Sequence, residues 1–440
     1  MQYVNKILNC EPTLRIIDTN LRKAQNKMKK NMIIGQSGGP TAVINSSLAG
    51  AVESALEKEE IDTVYGMING INGLIEENII NLTEIFKDKS SELNRLRLTP
   101  AMYLGSCRYK LSDEDSEYEK IISVLKKYNV GYFIYIGGND SMDTVDKLSK
   151  YVAKNGIDLK VVGIPKTIDN DLVGIDHSPG FGSAAKYIAL AVREVAYDTS
   201  IYAIKSVHII ETMGRNAGWI AGSSALAREG GNLAPHLIYL PEVPFSVDKF
   251  ISDVKNKLMK FNSVIVVVSE GIKDESGNYI SAKGDKTDKF GHVMLSGTGE
   301  VLKQLIEEQI GCKVRALEPS VLQRSAGHTS SLTDVTEAFN LGTVAVDAAV
   351  RGECGVFSSL RRTCNKPYAV EYFTENVSIV ANAEKTVPLE WINDEGNDVT
   401  DEFIDYIKPL VRGVPQVPYR NGLPDYIDVS HLDKKTQEYS

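Results

Sequence analysis

Residues 132–144 read YFIYIGGNDSMDT, an apolar run that ends in two glycines and continues into polar residues. The pattern predicts a buried strand over 132–136, a tight turn at Gly137 and Gly138, and a helix over 141–152. Open α/β sheets bind their ligands at the carboxyl ends of strands. This stretch therefore predicts an α/β fold with a ligand site at the turn.

The same alternation of short apolar runs and amphipathic stretches continues on both sides. Further strands are predicted over 32–34, 159–164, 207–210, 237–240 and 264–268, and further helices over 41–56, 118–127 and 216–227. Such alternation indicates parallel sheets joined by crossover helices. Because it runs in two series, we expect two doubly wound, Rossmann-like parallel-sheet domains, with a boundary near Gly180.

Both ends of the chain differ from this pattern. Residues 1–27 are polar and form an N-terminal extension, for which translation from Met28 and a genuine helical segment are the two interpretations. The tail 388–440 is acidic and rich in proline, aspartate and glycine, and we expect it to wrap the surface.

Composition excludes several classes of protein. The 440 residues carry 49 Lys and Arg against 58 Asp and Glu, and a net charge of −9 disfavours general binding to nucleic acid or anionic lipid. Apolar runs such as 264–268 are far shorter than the ~20 residues of a membrane-spanning helix. Five cysteines without a CxxC pair suggest neither disulfides nor zinc, which indicates a reducing, cytoplasmic setting.

A second glycine turn occurs in GQSGGPTAVINSSL, residues 35–48. Gly38 and Gly39 precede a predicted helix, and free backbone N–H groups at a helix start bind anions. Taken alone, this turn is equally well explained as a tight connection between strand and helix. Together with the turn at Gly138, it favours a phosphate-rich ligand.

The motif PKTIDND, residues 165–171, follows another apolar strand. Asp169 and Asp171 are two residues apart, so both carboxylates can face one side of an extended loop. One can serve as a general base while the other helps to hold Mg²⁺. The alternative is a cluster that caps its own backbone. Lys166 and the two glycine turns favour the functional interpretation.

Cationic side chains follow in the second half of the chain. Arg215 in MGRNAGW lies near a predicted helix start, where a positive charge is unfavourable unless an anion binds. Arg315, Arg324 and Arg108 could bind phosphate together, although each alone is better explained as a surface residue. Glu270 ends a strongly apolar strand and could accept sugar hydroxyls or cap a helix.

Two other nucleotide motifs are rejected. Residues 180–185 fit GxGxxA, but they do not follow a buried strand, so we interpret them as a helix start and reject a nicotinamide-dependent oxidoreductase. The sequence contains no GxxxxGK[ST] motif of a Walker-type ATP site.

Seven elements in order resemble the phosphofructokinase family. They are SGGPTAVIN, LGSCRYK, GGNDS, PKTIDND, MGRNAGW, SEG and the pair Arg315 and Arg324. The resemblance runs from about residue 32 to 324 and implies the phosphofructokinase fold. It further implies reversible, Mg²⁺-dependent phosphorylation of fructose 6-phosphate to fructose 1,6-bisphosphate in glycolysis or gluconeogenesis. A homodimer or homotetramer with shared active sites is expected.

The resemblance also implies a division of the chain and a role for each matching residue. A phosphoryl-donor domain would comprise 28–180 with part of 322–370, and a sugar-phosphate domain 181–321 with 371–440. Catalytic roles fall to Asp169 as base and to Asp140, Lys166 and Arg215. Sugar-phosphate contacts fall to Thr167, Met213, Gly214, Glu270 and Arg324, with Arg315 and Lys205 reaching in from a neighbouring subunit. Pyrophosphate contacts fall to Gly38, Gly39, Arg108 and Gly138, and the Mg²⁺ environment to Asn139 and Asp171.

Donor choice is implied by two positions. ATP-using bacterial relatives carry glycine where this chain has Asp140 and Lys166, whereas pyrophosphate-using relatives carry Asp and Lys. The carboxylate of Asp140 would repel the α-phosphate of a nucleotide. Pyrophosphate is therefore the expected donor, and an ATP-dependent sugar-phosphate kinase is the alternative.

Three positions depart from the family pattern. Asn139 replaces a metal-facing aspartate, Val321 replaces a histidine or tyrosine, and Ser206 stands in place of a neighbour-subunit arginine that Lys205 could replace. Asn139 and Val321 slightly favour a further alternative, a non-catalytic regulatory subunit of the same fold. Intact Asp169 and Asp171 argue against that alternative.

Overall fold

The computed structural model describes residues 29–107, 109–112, 114–231, 234–281, 297–380 and 383–432. The strands of this part of the chain are β1 (Lys30–Gln36), β2 (Ile61–Met67), β3 (Ile79–Asn81), β4 (Val130–Gly137), β5 (Lys160–Pro165), β6 (Ser206–Thr212), β7 (Leu237–Tyr239), β8 (Ser263–Ser269), β9 (Lys313–Leu317), β10 (Val356–Asn365), β11 (Tyr368–Asn376), β12 (Tyr419–Arg420) and β13 (Leu423–Pro424). The helices are α1 (Ile44–Leu56), α2 (Gly70–Ile75), α3 (Leu82–Phe86), α4 (Ser90–Leu98), α5 (Asp115–Lys127), α6 (Asn139–Lys154), α7 (Phe181–Ser200), α8 (Trp219–Ser223), α9 (Val247–Lys260), α10 (Thr298–Gln309), α11 (Leu322–Ser325), α12 (Leu332–Arg351) and α13 (Asp401–Ile407).

Two sheets organise the fold. The larger has the strand order β11-β10-β5-β4-β1-β2-β3, and the smaller β7-β8-β6-β9. The smaller sheet is parallel throughout, and the larger is parallel except at its edge strands β3 and β11. Strands such as β4 and β8 are almost continuously apolar because both faces of each sheet are covered. The predicted pair of Rossmann-like parallel sheets is confirmed.

The chain crosses between the sheets near its end. Strand β11 (Tyr368–Asn376) completes the larger sheet, so the predicted domain limit at 371 falls within a strand of that sheet. The functional assignment of the two domains stays a prediction. No helix of the described residues is long and apolar enough to span a bilayer.

One local prediction is confirmed and another is wrong. The helix expected over 216–227 begins three residues later, as α8 followed directly by a 3-10 helix over Ser224–Arg228, and Glu242 Oε1 accepts from the amide of its N-cap, Gly218, at 2.8 Å. The tail does not merely wrap the surface, since Phe403 and Ile407 are fully buried. They pack with Trp219 in the core beside the smaller sheet, and this burial of apolar area stabilises the tail there. The helix start predicted at 180–185 is confirmed by α7.

Candidate active site

Both glycine turns lie at one edge of the larger sheet. Strands β1 and β4 are adjacent and parallel, so the turns that follow them come together. A hydrogen bond of 2.5 Å between the Ser37 and Ser141 hydroxyls joins the two turns. Gly38 has a φ of 78°, and a Cβ on Gly39 would lie 3.1 Å from a guanidinium nitrogen of Arg324. Glycine at both positions keeps the backbone accessible to a ligand.

A cavity of about 630 Å³ opens at this edge. The predicted site residues in its wall are Gly38, Gly39, Gly138, Asn139, Asp140, Lys166, Thr167, Asp169, Asp171, Met213, Arg215, Glu270 and Arg324. They come from both sheets, because the carboxyl ends of β1, β4 and β5 face those of β6 and β8 across the cavity. The structure thus brings most of the predicted site together.

Asp169 lies in the loop after β5. Its backbone amide donates to Thr167 Oγ1 at 3.1 Å. Burial raises the pKa of the Asp169 carboxyl to about 7, and the charges of Asp171 and Glu270 act in the same direction. Lys166 acts in the opposite direction but does not cancel the shift. A carboxylate with a pKa near neutrality is suited to accept a proton from a hydroxyl group.

Lys166 lies under the first glycine turn. Its side chain is buried, and its ammonium donates to Gly39 O at 2.5 Å. A Cβ on Gly38 would lie 3.2 Å from Lys166 Nζ, so the residue type at 38 affects this ammonium directly. Burial lowers the pKa of Lys166 to about 8, although Asp169 favours the charged form. A positive charge therefore stands beside backbone positions that can accept an anion.

Asp140 lies at the second glycine turn. It occupies the first turn of α6, where the helix dipole favours a carboxylate. The side chain is exposed and belongs to the cavity wall together with Gly138. It therefore places a negative charge in the wall where a phosphate ligand would enter.

Asn139 and Asp171 are hydrogen-bonded to each other, and each keeps one side-chain oxygen free of other partners in the described structure. Asn139 Nδ2 donates to Asp171 Oδ2 at 3.0 Å. The remaining oxygens, Asn139 Oδ1 and Asp171 Oδ1, are buried and have no hydrogen-bond partner within the described part of the chain. Among these described residues no group of three His, Cys, Asp or Glu forms a metal cluster. Two hard oxygens fit Mg²⁺, which is commonly held by one or two protein ligands with substrate phosphates and water.

The opposite wall is built at the ends of β6 and β8. Glu270 Oε1 accepts a hydrogen bond of 3.3 Å from the amide of Gly214, and burial raises the pKa of Glu270 to about 7. The Met213 amide donates to Gln323 Oε1 at 3.0 Å. This bond fixes the start of α11 and thereby positions Arg324 at the cavity.

Arg215 also lines the cavity, but not for the reason expected. It lies four residues before Trp219, the first residue of α8, and therefore not at a helix start. Its Nε is buried and has no hydrogen-bond partner among the residues that the structure describes. A buried, unsatisfied guanidinium N–H favours binding of an anion.

Two predicted residues lie away from the cavity wall, and a third is outside the described residues. Arg315 is exposed on β9, away from the cavity wall of its own chain. Lys205 precedes β6 at its amino end, and its ammonium donates to the carbonyls of Leu258 and Phe261. That end is roughly 20 Å from the cavity end of a seven-residue strand. Arg108 lies outside the described residues.

Several cavity residues were not predicted as site residues, among them Tyr109, Asn216, Tyr279 and Glu384. Glu384 accepts two hydrogen bonds of 3.1 Å from Asn216 Nδ2. The position of Asn216 within MGRNAGW was a usable signal. Glu384 gave none, because it lies in the segment between β11 and the tail and reaches the site only through tertiary packing.

These features define a class of protein: an α/β enzyme that transfers phosphoryl groups, with glycine turns, a lysine and carboxylates around one cavity. The chain belongs to the phosphofructokinase family, whose sequence model, described as "Phosphofructokinase", matches residues 31–349.

Several individual members of the family are similar to this chain over most of its length. A pyrophosphate–fructose 6-phosphate 1-phosphotransferase of Methylococcus capsulatus is 39% identical, over 92% of this chain and 96% of the relative. A sulfofructose kinase of Alkalicoccus urumqiensis is 33% identical, over 92% and 97% respectively. The crystal structure of a pyrophosphate-dependent phosphofructokinase from Nitrosospira multiformis superimposes with a TM-score of 0.81 at 37% identity, covering 90% of this chain and 96% of that one.

Proposed function

We propose that this protein reversibly transfers a phosphoryl group from pyrophosphate to the 1-hydroxyl of fructose 6-phosphate. The observation that carries the proposal is the pair Asp140 and Lys166 in the cavity wall at the two glycine turns. A small dianionic donor group can lie between them, whereas a nucleotide would bring its α-phosphate towards the carboxylate. The names of the relatives from Methylococcus and Nitrosospira support this donor and acceptor.

Asp169 acts as the general base. Its carboxylate takes the proton of the sugar hydroxyl as the oxygen attacks the terminal phosphorus of pyrophosphate. Lys166 stays positively charged beside the glycine turn and stabilises the charge that develops on the leaving phosphate. Gly38, Gly39 and Gly138 supply backbone N–H groups to the donor.

The acceptor lies on the side of the smaller sheet. Thr167 and Glu270 bind sugar hydroxyls, and the Met213–Gly214–Arg215 segment lines the sugar-phosphate site. Arg324 binds the 6-phosphate. Arg315 and Lys205 contribute to the active site of a neighbouring subunit, so the active form is a homodimer or a homotetramer. The enzyme acts in the cytoplasm.

Asn139 and Asp171 would hold Mg²⁺, because each offers one buried oxygen without a partner in the described structure. When bound, the ion neutralises charge on the phosphates. The side chains keep the two oxygens side by side through the bond from Asn139 Nδ2 to Asp171 Oδ2.

The test is a coupled assay of the purified chain with pyrophosphate or ATP as donor. Fructose 6-phosphate and sulfofructose serve as acceptors, since one relative is named a sulfofructose kinase. We expect turnover with pyrophosphate and fructose 6-phosphate, and nearly none with ATP. Faster turnover with ATP would establish the ATP-dependent kinase, and none with any pair would favour the regulatory subunit.

A further inference from the structure

Lys385 packs behind the loop that follows β5. Its backbone amide donates to Asp171 O at 2.7 Å. Its ammonium donates three hydrogen bonds, to Asp176 O at 2.7 Å, Ile175 O at 3.2 Å and Asn170 Oδ1 at 3.3 Å. One residue of the segment before the tail thus binds the loop at its centre and at its far end, and all three ammonium N–H groups are used.

The loop adopts a conformation that requires such support. Asn170, between the two carboxylates, has a φ of 54° and is fully buried. Its Oδ1 also accepts from the Ser178 amide at 2.9 Å, and its Nδ2 donates to the Tyr406 hydroxyl at 3.2 Å. The same hydroxyl donates to Asp176 O at 2.8 Å. Lys385 and Tyr406 therefore hold the same buried turn.

The segment 385–387 also binds the opposite side of the site. Lys385 O accepts from Trp219 Nε1 at 3.0 Å. Glu242 Oε1 accepts from the amides of both Gly218 and Val387, at 2.8 and 2.9 Å. The segment 385–387 thus connects the loop after β5 with the loop before α8, across the two sheets.

We propose that Lys385 is a positioning residue for phosphoryl transfer. Lys385 does not belong to the cavity wall, so it acts through the loop that places the Asp169 carboxylate. A rigid base can meet the attacking hydroxyl at a productive distance, and a misplacement of 1 Å can cost about 10²-fold in rate. The inference rests on the proposed function, because it assumes that Asp169 is the base.

Lys385→Met removes the three donors while keeping the length of the side chain. We expect kcat to fall about 10- to 100-fold, with both KM values changed less than about twofold. Lys385→Arg should recover part of the loss, because it can still donate to the same carbonyls. Amide hydrogen exchange over residues 167–178 should become faster in Lys385→Met.

Lys186→Met is the matched control. The Lys186 ammonium also donates to two backbone carbonyls, Ser330 O at 3.0 Å and Gly413 O at 2.7 Å, but away from the cavity. Its melting temperature should fall as in Lys385→Met, whereas its kcat should stay within about twofold of the wild type. Equal effects of both substitutions on kcat would overturn the proposal, as would an unchanged kcat in folded Lys385→Met.

Tyr406→Phe serves if Lys385→Met does not fold, since it removes one hydroxyl from the same turn. A lower kcat at unchanged KM supports the inference, and an unchanged kcat overturns it. Wild-type turnover is measured first with pyrophosphate and with ATP. Its absence with both donors overturns the proposed function and this inference together, whereas a missing kcat effect in an active protein overturns the inference alone.

Discussion

Replacing Asp140 by glycine tests whether its carboxylate excludes nucleotide donors. The residue lies in the first turn of α6 and lines the cavity. Two unit charges 4 Å apart repel by about 4 kcal/mol at an effective dielectric constant of 20, and by about 1 kcal/mol in water. Because Asp140 is exposed, we expect a value near the lower end, about 1–2 kcal/mol. Removing the charge should therefore raise kcat/KM for ATP roughly 5- to 30-fold.

The assay follows formation of the sugar bisphosphate with pyrophosphate or ATP at fixed fructose 6-phosphate. Asp140→Asn removes the charge but not the volume, so it separates repulsion from steric exclusion. Asp143→Asn is the control, because Asp143 lies on the same helix and pairs with Lys147 at 3.1 Å outside the cavity wall. ATP should remain a poor donor in each variant while Lys166 is present.

The reasoning would be refuted by a folded Asp140→Gly protein whose kcat/KM for ATP does not rise. An equal rise in Asp143→Asn would refute it too, since the gain would then reflect net charge and not position. Efficient use of ATP by the wild type would contradict the role of Asp140 altogether.

Three further predictions concern the base, the assembly and stability. Asp169→Asn keeps the volume but cannot accept a proton, so kcat should fall ~10²–10⁴-fold at little-changed KM in steady-state assays; near-normal turnover would show that Asp169 is structural. Arg315 is exposed outside the cavity of its own chain, so we expect it to complete the site of a neighbouring subunit. Mixing inactive Asp169→Asn chains with inactive Arg315→Ala chains should then restore a minority of the activity. No recovered activity after verified subunit exchange would exclude shared sites. Burial opposes the charge of His177, but Glu337 and Asp176 outweigh it and raise the pKa of His177 to about 9. Since the unfolded value is near 6.5, this stabilisation is complete below pH 6.5 and is lost as the pH rises through 9. In urea unfolding, the stability of the wild type relative to His177→Gln should therefore fall by roughly 3 kcal/mol over that range.

The sequence alone was sufficient for six of the thirteen described strands, β1 and β4–β8, and for the glycine turns after β1 and β4. Strand β4, the Gly138 turn and α6 follow from a local pattern of apolar residues, glycines and helix formers, which needs no partner elsewhere in the chain. The parallel arrangement then implies that the turns after β1, β4 and β5 meet at one edge. The cavity residues of GGNDS and PKTIDND were predictable for this reason.

Only the tertiary structure shows which residues from distant parts of the chain hold the loops of the site in place. Lys385 meets Asn170, 215 residues earlier, and Glu384 meets Asn216, 168 residues earlier. Contacts over such separations depend on the path of residues 384–387 between the two sheets, which leaves no periodic trace in the sequence. The buried Phe403, Ile407 and Leu410 show the same limit, because their spacing indicates a face to be buried but not the core beside Trp219 that receives it. The placement of Arg315 on an exposed strand likewise depends on sheet order, since β9 occupies the edge next to β6.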